Sequence, residues 1–216
     1  MRRTLLPCAV LLILTACHPE TAMNQEITRA EQDVEEGGRG LAKLNPHPTR
    51  AHALVLKIDG APGPLDVVEA VAQYDVTNEA QCGRVIPATG TAGRITSQEP
   101  VTLRRVGDNE YHGTVYLDRM LDEDYYGRGV CQWAFSGASA MLKASGAPGE
   151  TRFLSFIDAE AFTQDQPTVR YYTKRTYPRA RMEDFPDNGE ASPSAYTAEL
   201  QKETFSVTLS GKGDAR

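Results

Sequence analysis

The sequence predicts an all-β domain, mainly an antiparallel sandwich or a barrel-like fold of about eight strands with minor short helical turns. Short apolar or alternating runs recur along the chain and are separated by Gly, Pro, Asn or Asp. No helical periodicity is sustained over about twelve residues or more. Many short strands at such spacing are typical of sandwiches and barrels.

Composition narrows the class of protein. The chain has 216 residues, which is enough for one domain, and carries a net charge of -6. This acidic balance argues against a nucleic-acid-binding protein, whose binding face is normally basic. Only the N-terminus contains an apolar run of any length, which excludes a membrane protein with several spans.

Residues 1–16 have the pattern of an export signal. Arg2 and Arg3 precede a short apolar run over residues 5–14. That run is shorter than the roughly 20 residues that a membrane-spanning helix needs. We therefore expect the protein to be exported.

The signal ends in Leu14-Thr15-Ala16-Cys17, which resembles the bacterial lipobox. The resemblance implies that Cys17 is lipidated and begins the mature chain, which then binds the membrane through its lipid. His18 rather than Asp follows, which favours the inner leaflet of the outer membrane, facing the periplasm. The alternative is a plain secretory signal that is cut nearby.

Residues 17–48 are predicted to be the lipidated cysteine and a flexible tether, because they are polar and rich in Gly and Pro near their end. Residues 49–216 are predicted to form a single β-rich domain. Removal of residues 1–16 leaves 21 basic and 29 acidic residues, a net charge of -8.

The first four predicted strands cover residues 52–59, 67–76, 100–106 and 111–118. The second alternates apolar and polar residues, which is typical of a half-buried strand. The last two flank Gly107-Asp108-Asn109-Glu110, which predicts a hairpin turn.

The remaining predicted strands cover residues 130–144, 151–159, 168–177 and 205–209. Helical turns are predicted at residues 117–125 and 196–203. Residues 178–198 contain three prolines and many polar residues, and they predict a long excursion before the final strand.

The cysteines of the domain are Cys82 and Cys131, since Cys8 leaves with the signal and Cys17 carries lipid. A single pair in an oxidising compartment predicts a disulfide. The alternative is two free thiols or half of a metal site. No nearby Cys or His completes a zinc-ligand spacing, and we expect no metal and no cofactor.

The densest polar patch surrounds four carboxylates within seven residues, which are Asp118, Asp122, Glu123 and Asp124. Three interpretations are open: a solvated acidic turn, an acidic recognition loop, or a calcium site whose spacing is not that of an EF-hand. Aromatic and basic neighbours favour partner binding, because Tyr and Arg are enriched at interface hot spots. These neighbours are Tyr125, Tyr126 and Arg128.

Catalytic motifs are not evident in the sequence. There is no G-x-S-x-G elbow and no phosphate-binding glycine loop. His18, His47 and His52 lie in or near the predicted tether, and His112 lies further inside the predicted body, on the polar side of a strand. Residues 170–177 interleave basic and aromatic side chains, which predicts either a charged edge strand or a protein-binding strand. We expect neither an enzyme nor a small-molecule substrate.

Several motifs resemble a group of small proteobacterial envelope lipoproteins over roughly residues 50–210. These motifs are Tyr74–Asn78, Cys82, Tyr111–Asp118, Asp122–Gly127 and Gly129–Trp133. Some such lipoproteins are linked to secreted antibacterial effectors, notably lipases, as their immunity proteins. The resemblance implies a protein partner, such as a secreted toxic hydrolase, and assigns no functional residue.

Two functions follow as expectations. The first is an immunity or inhibitor protein that neutralises a secreted antibacterial effector enzyme by binding it. The second is a structural or assembly accessory lipoprotein of an envelope or secretion complex. The predicted location in the cell envelope and the predicted fold are compatible with both functions.

Overall fold

The computed structural model describes residues 19–35 and 39–213. The predicted signal and Cys17 lie outside the described residues. The chain divides into two units, one ending at Leu41 and the other beginning at Ala42. None of the described helices is long and apolar enough to cross a membrane.

The first unit contains helix α1, Pro19–Glu35, where the sequence predicted a flexible tether without a helix. Met23, Ile27, Ala30 and Val34 recur at helical spacing and form a narrow apolar stripe in a mostly polar segment. The segment is also rich in residues of high helix propensity such as Ala, Glu and Gln. Pro19 occupies its first turn, where a missing N–H costs nothing, and two glycines follow its end. Beyond them the Gly40 N–H donates to Oδ2 of Asp33 at 2.7 Å.

The regular secondary structure of the second unit is mostly strand, with a few short helices. Its described strands are β1 Ala51–Asp59, β2 Val67–Val76, β3 Val85–Ile86, β4 Thr91–Ala92, β5 Thr96–Val101, β6 Arg104–Arg105, β7 Glu110–Tyr116, β8 Trp133–Lys143, β9 Arg152–Asp158, β10 Thr168–Thr173, β11 Pro186–Asp187 and β12 Thr204–Gly213. Its short helices are α2 Glu79–Cys82, α3 Ala159–Thr163 and α4 Ala198–Gln201, with 3₁₀ turns at Lys174–Thr176 and Pro193–Ala195.

These strands form a sandwich of two five-stranded sheets, and neither sheet closes into a barrel. The first sheet has the order β10-β12-β1-β7-β6, and the second has the order β11-β9-β8-β2-β5. Neighbouring strands are antiparallel except β11 and β9, which are parallel. The separate β3–β4 hairpin lies between β2 and β5 along the chain. The predicted all-β class is therefore confirmed as a sandwich.

The core lies between the inward faces of the two sheets, because successive side chains of a strand point to opposite faces. Phe153 of β9 packs against Tyr172 and Phe205 of the first sheet, with ring centroids 5.4 and 5.1 Å apart. Buried phenols also find carbonyl partners. The Tyr172 hydroxyl donates to Leu154 O at 2.7 Å, and the Tyr74 hydroxyl donates to Tyr116 O at 2.7 Å. These bonds fix the two sheets relative to each other.

The predicted strands are confirmed with shifts at their ends, except the one at residues 100–106. That run is divided between the end of β5 in the second sheet and β6 in the first sheet. The hairpin turn at residues 107–110 joins β6 to β7, as predicted. The predicted run of residues 168–177 stops at Thr173, because a 3₁₀ turn follows. The helical turn at residues 196–203 corresponds to α4. The one at residues 117–125 is wrong, because this segment forms turns and isolated bridges, including Leu44 to Met120.

The excursion at residues 178–198 covers the open edge of β10. The backbones of Tyr171 and Glu190 exchange two hydrogen bonds, of 2.9 and 2.8 Å. The edge position predicted for residues 170–177 is confirmed for β10. Its protection includes backbone pairing, in addition to the charges that the sequence suggested.

Candidate functional site

A disulfide joins two loops at one end of the sandwich. Cys82 of α2 and Cys131, two residues before β8, are bonded with their Cα atoms 5.2 Å apart. Both cysteines are fully buried. The predicted pairing is confirmed, and the reading as free thiols or half of a metal site is wrong. The bond connects residues 77–95, here called the ribbon segment, to residues 118–131, here called the acidic segment.

The Asp118 carboxylate binds the backbone just before the start of β1. Its carboxylate accepts hydrogen bonds from Thr49 N at 2.8 Å, Thr49 Oγ1 at 3.0 Å and Arg50 N at 3.0 Å. Burial alone would raise the pKa of Asp118, but these hydrogen bonds outweigh it and lower the pKa. Asp118 is therefore an acceptor for backbone groups about 70 residues away in sequence rather than a free surface charge.

The other three carboxylates also shape the acidic segment. Asp122 Oδ1 accepts from Trp133 N at 2.9 Å, and Asp124 Oδ1 accepts from Arg128 N at 3.0 Å. Glu123 pairs with the Lys43 ammonium at 2.6 Å. No two of the four carboxylates thus share a partner among these contacts. No group of three or more His, Cys, Asp or Glu side chains arranged to hold a metal occurs in the described residues.

The two tyrosines of the acidic segment differ in exposure. Tyr125 is 9% exposed, and its hydroxyl donates to Leu121 O at 2.6 Å while accepting from Lys43 N at 3.3 Å. Burial raises the pKa of this hydroxyl. Tyr126 is half-buried. The ring of Tyr125 therefore packs inside the domain, so it cannot act as the surface anchor that the sequence suggested.

Hydrogen bonds reinforce the disulfide between the two segments. Asn78 accepts from Gln132 N at 2.8 Å and donates to Val130 O at 2.9 Å. The Arg128 guanidinium donates to Gly83 O. Arg128, predicted to bind a partner, thus joins the two segments while remaining exposed at their surface. We call the ribbon and acidic segments together the disulfide-tied end.

Sequence reasoning missed the most exposed apolar side chains of this end. Val85 and Ile86 form β3 and are 39% and 44% exposed, and Val130 beside the disulfide is 51% exposed. The β3–β4 hairpin holds the first two, with Val85 opposite Ala92 and Ile86 opposite Thr91. The sequence contains a signal for these side chains. Val85 and Ile86 are an apolar pair within a loop-like stretch rich in Gly, Pro and Thr just after Cys82. Exposed apolar residues grouped on constrained loops are typical of protein-binding surfaces.

Asp75 anchors the base of the ribbon segment. Its Oδ1 accepts from Arg94 Nη2 at 2.9 Å, and its Oδ2 accepts from Gln73 Nε2 at 3.1 Å. Burial opposes ionisation, but hydrogen bonds from Ser136, Arg94, Thr96 and Gln73 lower the pKa of Asp75 to about 2. The ionised form therefore fixes the return of the ribbon segment to β5.

We expect Asp75→Asn to lower the free energy of unfolding by about 1–2 kcal/mol at neutral pH, because charged acceptors form the stronger hydrogen bonds. The folded pKa of about 2 lies below the usual value of 3.8. The stabilisation is thus complete above about pH 4 and is lost as the pH falls through about 2. Urea unfolding at a series of pH values measures this loss.

The matched control for that experiment is Asp108→Asn, in the exposed turn between β6 and β7. It should leave the pH dependence of wild type unchanged. An Asp75→Asn variant that keeps the full acid-dependent loss of stability would contradict the assignment.

His112 lies on the outer face of the first sheet. Its Nε2 is 2.6 Å from Glu110 Oε1, and the Lys57 ammonium is 3.2 Å from the other oxygen of the same carboxylate. Hydrogen bonds from these two partners lower the pKa of Glu110. This group is separate from the carboxylates of the acidic segment, since Asp118, Asp122 and Glu123 each bind other partners.

No protein-family model, no curated protein and no solved structure matches this chain.

Proposed function

We propose that this protein is a lipid-anchored, periplasm-facing binding protein that neutralises a secreted antibacterial effector enzyme by protein–protein contact. One observation carries the proposal, namely that the loops of the disulfide-tied end expose three apolar side chains, Val85, Ile86 and Val130. The N-terminal signal with Cys17 and the disulfide are compatible with an exported protein. The resemblance to envelope lipoproteins supplies the class of partner.

Rigidity makes this end suitable for tight binding. Loops that must be ordered on association lose conformational entropy, which reduces affinity. Here the disulfide and the bonds of Asn78 and Arg128 already hold the two segments together. A stable inhibitor interface needs about 1,200–2,000 Å² of total buried surface. The three apolar side chains would form only its dry centre, with polar residues of the acidic segment at the rim.

Charge contributes mainly to the rate of encounter. The mature chain carries a net charge of -8 if residues 1–16 are removed. The rim includes Asp122 and Asp124, which are exposed although they accept backbone hydrogen bonds. Exposed carboxylates steer a basic partner toward the surface and make association sensitive to salt. We thus expect affinity to depend on the apolar centre and association rate to depend on the rim.

The test uses the full chain with Cys17→Ser, which removes the predicted lipid, as bait for secreted proteins of the native bacterium. We expect recovery of one enzyme in stoichiometric amount whose activity falls when the bait is added. Ile86→Asp should raise the dissociation constant for that enzyme by at least about 30-fold, which is the size of a hot-spot effect.

The matched control is Val106→Asp. Val106, like Ile86, is an exposed β-branched apolar residue, at 55%, but it lies in the β6–β7 hairpin. This control should bind the enzyme as wild type does. Equal binding by the Ile86→Asp variant would contradict the proposed surface. Recovery of resident envelope subunits without any inhibited enzyme would contradict the inhibitor role and favour the accessory lipoprotein.

A further inference from the structure

The outer face of the second sheet contains an apolar groove that is separate from the disulfide-tied end. Strand register places Glu69 beside Met141 and Met141 beside Leu154. A second row places Val71 beside Ser139 and Ser139 beside Phe156. These rows line a cavity of about 440 Å³. Sites for small ligands have volumes of this order.

The apolar character of this face needs an explanation. The outer face of an antiparallel sheet is normally polar, because it meets water. Here Val71, Met141 and Leu154 are half-buried, and Phe156 is 44% exposed. Strands lie about 4.8 Å apart, so the row from Glu69 to Leu154 is about 10 Å long. The groove can therefore hold a linear aliphatic chain laid across the strands.

The charged residues that line the groove are Arg170 and Glu69, and the lining also contains the hydroxyl groups of Ser139 and Ser155. Arg170 comes from β10 of the other sheet and lines one end with Asn188. Arg170 is half-buried, and no ion pair or side-chain hydrogen bond joins its guanidinium to another described residue. A partly desolvated guanidinium favours an anion that it can bind through paired hydrogen bonds. Glu69 lines the opposite side of the groove and would repel an anion there.

We propose that this groove binds a medium-chain aliphatic carboxylate, with its head on Arg170 and Asn188 and its chain over Leu154, Met141 and Phe156. The single cation fixes the position of the head, and Glu69 fixes the direction of the chain. This ligand site extends the sequence-based expectation, which included no small molecule. It does not depend on the proposed inhibitor function, because the two surfaces use different residues.

The test measures binding of octanoate, decanoate and dodecanoate to the full chain with Cys17→Ser by calorimetry, below micelle-forming concentrations. We expect saturable binding of one molecule. Each added methylene should lower the dissociation constant by roughly two- to fourfold until the groove is filled. 1-Decanol, which has the chain length of decanoate and no charge, should bind at least about tenfold more weakly than decanoate, because it cannot form a charged hydrogen bond with Arg170. Equal binding of decanoate and 1-decanol would overturn the proposal.

Variants of Arg170 test the head group. Arg170→Gln should weaken dodecanoate binding by at least about tenfold, because it removes a charged hydrogen-bond partner. Arg170→Lys should recover part of that loss. The matched control is Arg104→Gln in the exposed strand β6, which should bind as wild type does. Unchanged binding by a folded Arg170→Gln variant, or no saturable binding by wild type, would overturn the assignment.

Phe156→Ala tests the chain-binding part of the groove. Phe156 lies on β9, the strand nearest to the proposed head-group end, so its removal should leave the fold intact and weaken octanoate and dodecanoate by similar factors. A loss confined to dodecanoate, or no loss for either ligand, would contradict the orientation of the chain. Thermal unfolding of each variant identifies any general loss of structure.

Discussion

Replacing both bonded cysteines, as Cys82→Ala with Cys131→Ala, is expected to lower the free energy of unfolding by roughly 4 kcal/mol. The bond closes a loop with a sequence separation of 49 residues, and opening it restores entropy to the unfolded chain. Domains of ordinary size are stable by only about 5–15 kcal/mol. The loss should be evident in urea unfolding without reductant.

Wild-type protein under reducing conditions is the natural comparison for that variant. It should unfold at nearly the same urea concentration as the double-alanine variant in either condition, whereas oxidised wild type should unfold later. A loss below about 1 kcal/mol would show that the disulfide does little for global stability. It would also mean that the hydrogen bonds of Asn78 and Arg128 suffice to hold the disulfide-tied end.

The disulfide also connects stability to the proposed function. Without it, the ribbon segment keeps its hairpin and its Asp75 anchor, but it loses its covalent tie to the acidic segment. Binding must then order the two segments relative to each other, which weakens affinity. We expect this effect mainly on the dissociation of the partner and only slightly on carboxylate binding in the distant groove.

The long strands and the disulfide could be predicted from the sequence because their signals are local. Alternation in residues 67–76 reports directly which side of β2 is buried. Cysteine counting left only Cys82 and Cys131 to pair. The strand follows from the pattern of about ten neighbouring residues. The disulfide follows from the number of cysteines and from the oxidising compartment that the signal indicates.

The role of the acidic segment could not be predicted, because its partners are distant in sequence. Asp118 binds the backbone of Thr49 and Arg50, and Glu123 pairs with Lys43. The sequence pattern of a run of carboxylates is the same whether the side chains face solvent or accept hydrogen bonds from other loops. Helix α1 was missed for a different reason, since its apolar stripe of Met23, Ile27, Ala30 and Val34 is narrow and the Gly and Pro residues that follow it predicted a tether.

The groove left a sequence signal that is ambiguous. Residues 152–158 place apolar side chains on both faces of β9, with Phe153 and Ile157 on one and Leu154 and Phe156 on the other. Such a run is typical of a strand covered on both sides. In the sandwich only one side meets the core, which leaves the other as the floor of the groove.

Phe153→Ala is expected to lower the free energy of unfolding by about 3–5 kcal/mol. The ring is fully buried, and it packs against Tyr172 and Phe205 of the opposite sheet at 5.4 and 5.1 Å. Its removal leaves a cavity between the sheets and removes two edge-to-face ring contacts. Chemical unfolding measures the change.

Phe156→Ala is the control for this prediction, since Phe156 lies three residues further along the same strand on the other face and is 44% exposed. It should cost about 1–2 kcal/mol, less than Phe153→Ala, because 44% of its surface already meets water. The pair of variants thereby separates the two faces of β9: the first substitution should mainly reduce stability, and the second should mainly reduce carboxylate binding. If both variants lost equal stability, the face with Phe156 would be part of the core and could not form an open groove.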